Sequence, residues 1–393
     1  MRKLILNVLV IGIAFLLGLI TLSNIRLDQY KSYLIYFKQM GSFFSKTDVV
    51  KEAQTTIEEL ISKESVQLID VVHSADSVPK STSNIQFSVL SYNVLADGYS
   101  GLFASDAGST YIDFKYRSPI VIEEIRRFNA DIILLQEIDH YDDFYQPKLT
   151  ELGYELIQGK RKNKIDSAVV GYKKDTFELI SHKILDFNKG HKYEKNSDFI
   201  RNNVAVIAEL KHKASGKIVI ALGTHFFWNP KKEHVKYLQM AEVEKYLSAH
   251  YNDEDIIVWG GDLNSKPEDN NMVYLRERAP PTKERIEFYT EKMLKHQIDI
   301  YNELQQIEKH LTWGNVYELY GDSTGNKERK FPKYTNYNRN FKDVLDHILY
   351  TKKAVIPKKL LKIPDEKEIG TSAVPNRRYP SDHLPIMAVF EIL

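Results

Sequence analysis

Apolar positions along the chain fall into three patterns, and each predicts a different kind of element. The first is continuous: after Arg2 and Lys3 no charge appears from Leu4 to Ile25, and Leu4 to Ile20 carries Asn7 as its one polar side chain. A helix that crosses a bilayer needs about 20 such residues, whereas the apolar stretch of a cleaved signal runs to about 7–15 and ends on small residues. Thr21-Leu22-Ser23 is a poor cleavage sequence, so residues 1–25 predict a single-pass N-terminal transmembrane helix that anchors the chain in a membrane. Arg26, Lys31 and Lys38 after the segment balance Arg2 and Lys3 before it, and charge therefore does not assign the side of the membrane.

The second pattern has helical spacing. Tyr30, Tyr33, Tyr36 and Phe37 follow the anchor, where interfacial aromatic side chains belong. Val49, Val50, Ala53, Ile57, Leu60 and Ile61 then recur among charges as one face of an amphipathic helix, read as a stalk or support. Ser77 to Asn84 is polar and rich in breakers, which closes a juxtamembrane linker over 26–84.

The third pattern starts at residue 85. Short apolar runs of strand length occupy Phe87 to Val94, Ile132 to Leu135, Ala168 to Tyr172, Val204 to Leu210, Ile218 to Leu222, Ile256 to Trp259, Val344 to Tyr350 and Ile386 to Phe390. Helical periodicity between them covers Ser118 to Phe128 and His234 to Ala249. Eight strands with helices and loops between them predict an α/β domain over 85–393, two packed sheets with helices outside.

Composition narrows the chemistry. With 393 residues, 43% of them hydrophobic, the chain can bury a large core, and its formal charge of +1 excludes a global basic field for a long duplex. Any nucleic-acid contact has to be local. There is no cysteine, which removes disulfides, zinc-thiolate sites and thiol nucleophiles and leaves oxygen and imidazole chemistry.

Polar residues cluster where the apolar runs end: Asn93, Glu137, His225, Asp262 with Asn264, Asp346, and Asp382 with His383. Each alone also suits a turn or a helix cap. Jointly they form an oxygen-rich set, one Asn, one Glu and several Asp, of the kind that Mg2+ binds while keeping part of its water shell. An Asp next to a His can orient it for phosphate stabilisation or proton transfer. A phosphate-binding Gly-rich loop ending in Lys-Ser or Lys-Thr, Gly-x-Ser-x-Gly and His-Glu-x-x-His are all absent.

Six segments occur in the order found in the endonuclease/exonuclease/phosphatase superfamily: Ser91-Tyr92-Asn93, Leu135-Gln136-Glu137, Gly223-Thr224-His225, Gly261-Asp262-Leu263-Asn264-Ser265, Leu345-Asp346-His347-Ile348 and Ser381-Asp382-His383. The chain resembles that superfamily from about 86 to 393. Within it, Ser91 to Asp97, His225 to Pro230, and Tyr334 to Tyr337 with Phe341 to Asp346 are similar to the CCR4, nocturnin and 2′-phosphodiesterase group of deadenylase-like enzymes. Ser167 stands where that group usually has Gly-Cys, and His347 where it often has Tyr; neither departure touches a metal ligand. Lys342-Asp343-Val344-Leu345 replaces the Trp-containing sequence of the apurinic endonuclease branch.

The resemblance implies a DNase I-like four-layer sandwich and a Mg2+ ion, or Mn2+ in its place. It implies Glu137 as the principal metal ligand assisted by Asn93, with Asp346 holding metal-bound water or a second ion. Asp262 orients or deprotonates the attacking water, Asn264 and His225 donate to phosphate oxygens, and His383, oriented by Asp382 or Asp346, stabilises phosphoryl charge. For substrate, it implies stacking by Phe341, a base edge read by Asn336, Pro230 and Trp228 beside it, and Arg201 at a phosphate. The expected activity is hydrolysis of RNA 3′ ends or small adenylated phosphoesters by a monomeric catalytic domain, with a nucleotide or single-stranded nucleic acid as substrate. The anchor keeps a second enzyme in view, a membrane phosphodiesterase for phospholipid or sphingolipid head groups.

Overall fold

The computed structural model describes residues 46–63, 66–73, 84–103, 107–326, 328–370 and 373–393. The transmembrane helix expected over 1–25 lies outside them, and among the described residues no helix is long and apolar enough to cross a membrane. The compact unit from Ala53 to Leu393 carries every strand among the described residues.

One sheet has seven strands in the order β1 (Leu68–Asp70), β14 (Val355–Leu361), β15 (Ile386–Ile392), β2 (Gln86–Asn93), β3 (Ile132–Ile138), β5 (Ser167–Lys173), β4 (Tyr154–Lys160). The other has six: β10 (Trp313–Asn315), β13 (Asp346–Thr351), β9 (Ile256–Asp262), β8 (Ile218–His225), β7 (Val204–His212), β6 (Phe177–Asp186). Side chains alternate across each strand, and on the central strands both faces are covered. Val89, Ile132, Leu134, Val206, Ala208, Val258 and Ile348 share the core between the sheets. Leu90, Ile133 and Leu135 point the other way, onto Val121 and Ile125 of helix α2 (Phe114–Phe128). Ala205, Ile207, Leu222 and Trp259 pack outward against Tyr237 and Met240 of helix α3 (Glu233–His250) and Ile300 of α5 (Glu291–Leu304). Burial on two faces is why these strands read as continuous apolar runs rather than as alternation. Each large aliphatic side chain so enclosed stabilises the fold by roughly 1.5–3 kcal/mol.

The boundary expected at residue 85 moves upstream. Helix α1 (Lys46–Lys63) buries Ala53 and Leu60, its Thr56 hydroxyl lies 3.0 Å from the Tyr116 hydroxyl, and Glu59 pairs with Arg377 at 2.8 Å. Strand β1 pairs antiparallel with β14. Residues 53–63 and 66–73 therefore pack as part of the sandwich.

Helix α3 is buried nearly all round, since the six-stranded sheet covers one side and α5 the other. Its His234 stacks near His296 of α5, ring centroids 5.5 Å apart, with Phe199 and Tyr193 beside them. Burial, then His296 and Lys232, depress the His234 pKa to about 4, and His296 is lowered by burial and Lys292; Asp198 opposes both shifts. A neutral buried imidazole contributes stability that is complete above its unfolded pKa, about 6.5, and declines as pH falls towards 4. Urea midpoints at pH 7 and pH 5 should therefore differ more for the wild type than for His234→Phe. Equal differences would show that His234 takes up its proton as readily in the folded state as in the unfolded one.

Candidate active site

Strand direction brings the polar strand ends together. β2 runs parallel to β3, and β8 parallel to β9, so Asn93, Glu137, His225 and Asp262 all emerge at one edge of the sandwich. β13 runs antiparallel to β9 and opens at that edge, setting Asp346 opposite Asp262. The loop 381–383 leads into β15 at the same end, because Ile386 pairs with Ser91.

Local backbone aims each side chain. Glu137 sits in a bulge of β3 with a left-handed φ of 62°, which turns its carboxylate out of the sheet. Gly261 has no side chain for a reason: a Cβ there would lie 1.9 Å from the Thr224 carbonyl oxygen of the adjoining strand. Asn264 follows with φ 47°, and its amide N–H donates to Asp262 Oδ1 at 2.9 Å.

The hydrogen bonds join both sheets. Asn93 Nδ2 donates to Glu137 Oε1 and to Asp262 Oδ2, 3.0 Å each, so it bridges two carboxylates. Its own Oδ1 accepts the Leu95 N–H at 3.1 Å, and the Ala96 N–H donates to Glu137 Oε2 at 3.0 Å. His383 Nδ1 lies 2.8 Å from Asp346 Oδ2, with its Nε2 3.4 Å from Asp262 and 3.9 Å from Asp382. Asn264 Nδ2 lies 3.0 Å from His225 Nε2, which is itself 3.5 Å from Asp262 Oδ2.

Burial would lower the His383 pKa, but Asp346, Asp262 and Asp382 around the ring outweigh it and raise it well above the usual imidazole value. The ring is charged at neutral pH. Glu137 is pushed up by burial and by Asp382, against the opposing pull of His225, Asn93 and the Ala96 N–H. Asp346 is likewise raised by burial, with His383 opposing. Ligand atoms of Asp262, Asp346 and His383 lie within 4.8 Å of one another. Asp346 Oδ1 and Asp382 Oδ1 are buried without a hydrogen bond. Four carboxylates in one cluster, two of them with an orphaned oxygen, form a donor set suited to a hard cation.

The substrate residues divide. Asn336, expected at a base edge, donates to Asp382 Oδ2 at 3.1 Å and pairs across a β-bridge with His383, inside the cluster. It begins a ribbon of β11 (Asn336–Tyr337) and β12 (Lys342–Asp343), and Phe341 stands on its turn, 36% exposed. Trp228 is 66% exposed, and Pro230 opens a short turn two residues on. Arg201 is not brought to the carboxylates: its Nη1 donates to the Ser197 and Ile200 carbonyls and its guanidinium lies over Phe227.

Several supports were not read from sequence. Thr335 donates to Asp346 Oδ2 at 2.6 Å while accepting the Leu345 and Asp346 N–H groups. Its signal was present in Tyr334-Thr335-Asn336, read there for Asn336 alone. The buried Arg117 donates from Nη1 to the carbonyls of Val94, Leu95 and Pro380, tying the two loops that flank Asn93. His347 is a packed core residue held by Ser265 O and Asn315 Nδ2, which accounts for its place next to Asp346.

Two sheets with an acidic, imidazole-bearing cleft at one edge define a phosphoric-ester hydrolase architecture. Residues 90–383 match the Endonuclease/Exonuclease/phosphatase family, and the chain belongs to it. It is 27% identical over 344 residues to the CCR4-Not complex 3′-5′-exoribonuclease subunit Ccr4 of Candida glabrata, covering 78% of this chain and 37% of that protein. The chain thus spans well under half the length of that relative. The solved structure of ANGEL2, a 2′,3′-cyclic phosphatase in complex with adenosine-2′,3′-vanadate, is 25% identical with a TM-score of 0.66, covering 78% of this chain and 96% of that one. The human nocturnin catalytic domain shares the fold at 19% identity, with a TM-score of 0.58 and coverage of 83% and 97%.

Proposed function

We propose that this protein is a Mg2+-dependent phosphodiesterase that hydrolyses RNA 3′ ends or small adenylated phosphoesters. The observation that supports it most is the cluster of Asn93, Glu137, Asp262, Asn264, Asp346 and His383, with hydrogen bonds of 2.8–3.0 Å inside it and His383 Nε2 3.4 Å from Asp262 joining its two parts. Glu137 and Asn93 would hold the ion, with Asp346 beside them; bound there, it supplies Lewis-acid charge to the phosphoryl oxygens. The chain's own groups do the rest. Asp262, a carboxylate with Asn93 and the Asn264 N–H fixing its two oxygens, takes the proton of the attacking water. Asn264 Nδ2 and His225 donate to non-bridging oxygens, and the charged His383 stabilises negative charge that grows on the phosphoryl group. The test is hydrolysis of poly(A), mixed RNA, NADP and sphingomyelin by the full chain, in Mg2+ and in chelator. Turnover of sphingomyelin alone would overturn the nucleotide reading.

Phe341 projects from the turn of a ribbon bonded to the catalytic loop through Asn336 and through the Tyr337 N–H on Asp382 O. We expect it to stack on adenine. Phe341→Ala should weaken use of poly(A) by about 1–3 kcal/mol while sparing a generic diester. Equal losses on both substrates would assign the ring to packing.

The apolar segment Leu4 to Ile25 motivates a further expectation, that the chain fractionates as an integral membrane protein through it. Deleting residues 1–26 should release a soluble, active enzyme. Full-length protein that carbonate washes from membranes, or a mature N-terminus after Ser23, would replace the anchor with a cleaved signal or with no anchor.

A further inference from the structure

Two buried polar residues of α3, Lys236 and Gln239, are not used by the chemistry above. They are three apart and so share one helix face, and each is 2% exposed. Lys236 Nζ donates to the Asn264 carbonyl at 2.5 Å and lies 3.6 Å from Asp269 Oδ2. Gln239 Oε1 accepts the Phe227 N–H at 2.8 Å, and its Nε2 donates to Asn203 Oδ1 at 3.2 Å. Asn203 in turn donates to the His225 carbonyl at 2.8 Å. One helix face therefore grips the backbone on both sides of the His225–Asn264 contact.

We infer that Lys236 and Gln239 are positioning residues that set His225 and Asn264 for the reaction. The inference rests on the phosphodiesterase reading of the site. Its physical basis is the backbone of the loop that carries Asn264. Around it the Asp262 carbonyl accepts from Phe226 N–H, Leu263 from the Ser265 hydroxyl, and Ser265 from His347. Lys236 completes that series. A buried carbonyl left without a donor costs about 1–3 kcal/mol. A left-handed asparagine has right-handed and extended alternatives within about 1–2 kcal/mol. Removing the ammonium thus makes it favourable for the Asn264 peptide to turn, and the turn carries Nδ2 away from His225 Nε2. Asp269 explains why the donor is a cation: Lys236 stands against a carboxylate that burial would otherwise penalise. Gln239 acts on the other partner, holding the strand exit from His225 to Phe227.

Lys236→Met is expected to lower kcat by about 10–100-fold, as for misplacement of a group by an ångström, with KM little changed. Lys236→Arg, which keeps a charged donor, should recover most of the loss. In an Asn264→Ala background, Lys236→Met should cost less than about twofold more, because the group it positions is already gone. A crystal structure of Lys236→Met should show Asn264 out of the left-handed region and its Nδ2 beyond hydrogen-bond distance of His225. An unmoved Asn264, a full additive loss in the Asn264→Ala background, or no rescue by arginine would each overturn the proposal. If the wild type cleaves no phosphodiester, the functional reading fails, and the crystal structure still decides whether Lys236 holds Asn264.

Discussion

Glu137→Ala is expected to abolish turnover in Mg2+ and leave the domain as stable as before, or more so. The carboxylate is held by Asn93 Nδ2 and the Ala96 N–H, and burial with Asp382 raises its pKa. A carboxylic acid whose folded pKa is raised is a stability cost once pH exceeds its unfolded value, so its removal relieves the folded state at neutral pH. Alanine keeps the left-handed backbone no worse than glutamate does, since both carry a Cβ. With Glu137 as the proposed principal cation ligand, its loss would forfeit several kcal/mol of charge stabilisation, hence at least about three orders of magnitude in kcat/KM. Steady-state rates and thermal melts on the same preparation separate the two effects. Turnover within tenfold of wild type would remove Glu137 from the metal assignment.

Asp346→Ala is expected to damage both stability and rate. His383 is charged and buried, and its Nδ1 partner is Asp346 at 2.8 Å. Breaking a buried pair from one side costs about 3–5 kcal/mol, and because Asp262 and Asp382 remain near the ring the lower end is expected. Thr335 loses its acceptor in the same change. An imidazole freed to rotate should cost about 10²–10⁴-fold in rate. The pH dependence carries a signature. A histidine with a raised folded pKa contributes stability that is fully present below about 6.5 and lost as pH rises through the folded value. Removing Asp346 lowers that folded value, so the stability decline should shift towards neutral pH. Chemical denaturation from pH 6 to 9 measures it, and an unchanged profile would show that Asp262 and Asp382 alone hold the charge.

How much of this was legible in the sequence follows from where side chains face. β3 and β9 are buried on both sides and read at once as strands. β6 is an edge strand with half of its side chains in solvent, and β14 carries Pro357, Lys358 and Lys359 at a bulge, so neither shows an apolar period. β1 is three residues long and gains its partner from β14, far along the chain. In the site, Asn93, Glu137, Asp262 and Asp346 were legible because they end or begin apolar strands. Arg117, Lys236 and Gln239 were not, because their work is done on backbone carbonyls and amides of distant loops, and such contacts impose no local spacing. Arg201 was read as a phosphate contact from its position near a strand start; its Nη1 donates to the Ser197 and Ile200 carbonyls.

Asn93 and Glu137 come from the seven-stranded sheet, whereas His225, Asp262 and Asp346 come from the six-stranded one. Their 3.0 Å contact through Asn93 and Asp262 spans the seam between two layers that touch mainly through aliphatic side chains. The cleft therefore works as a gauge of how well those layers are seated. A cavity made deep in the shared core, for example by Leu134→Ala, lets one sheet settle against the other by a fraction of an ångström and moves half the reacting groups relative to the other half. Heat or denaturant should silence the enzyme before circular dichroism registers any loss of strand, and suppressors of such lesions should map to the filling between the layers, remote from every group that meets the phosphate.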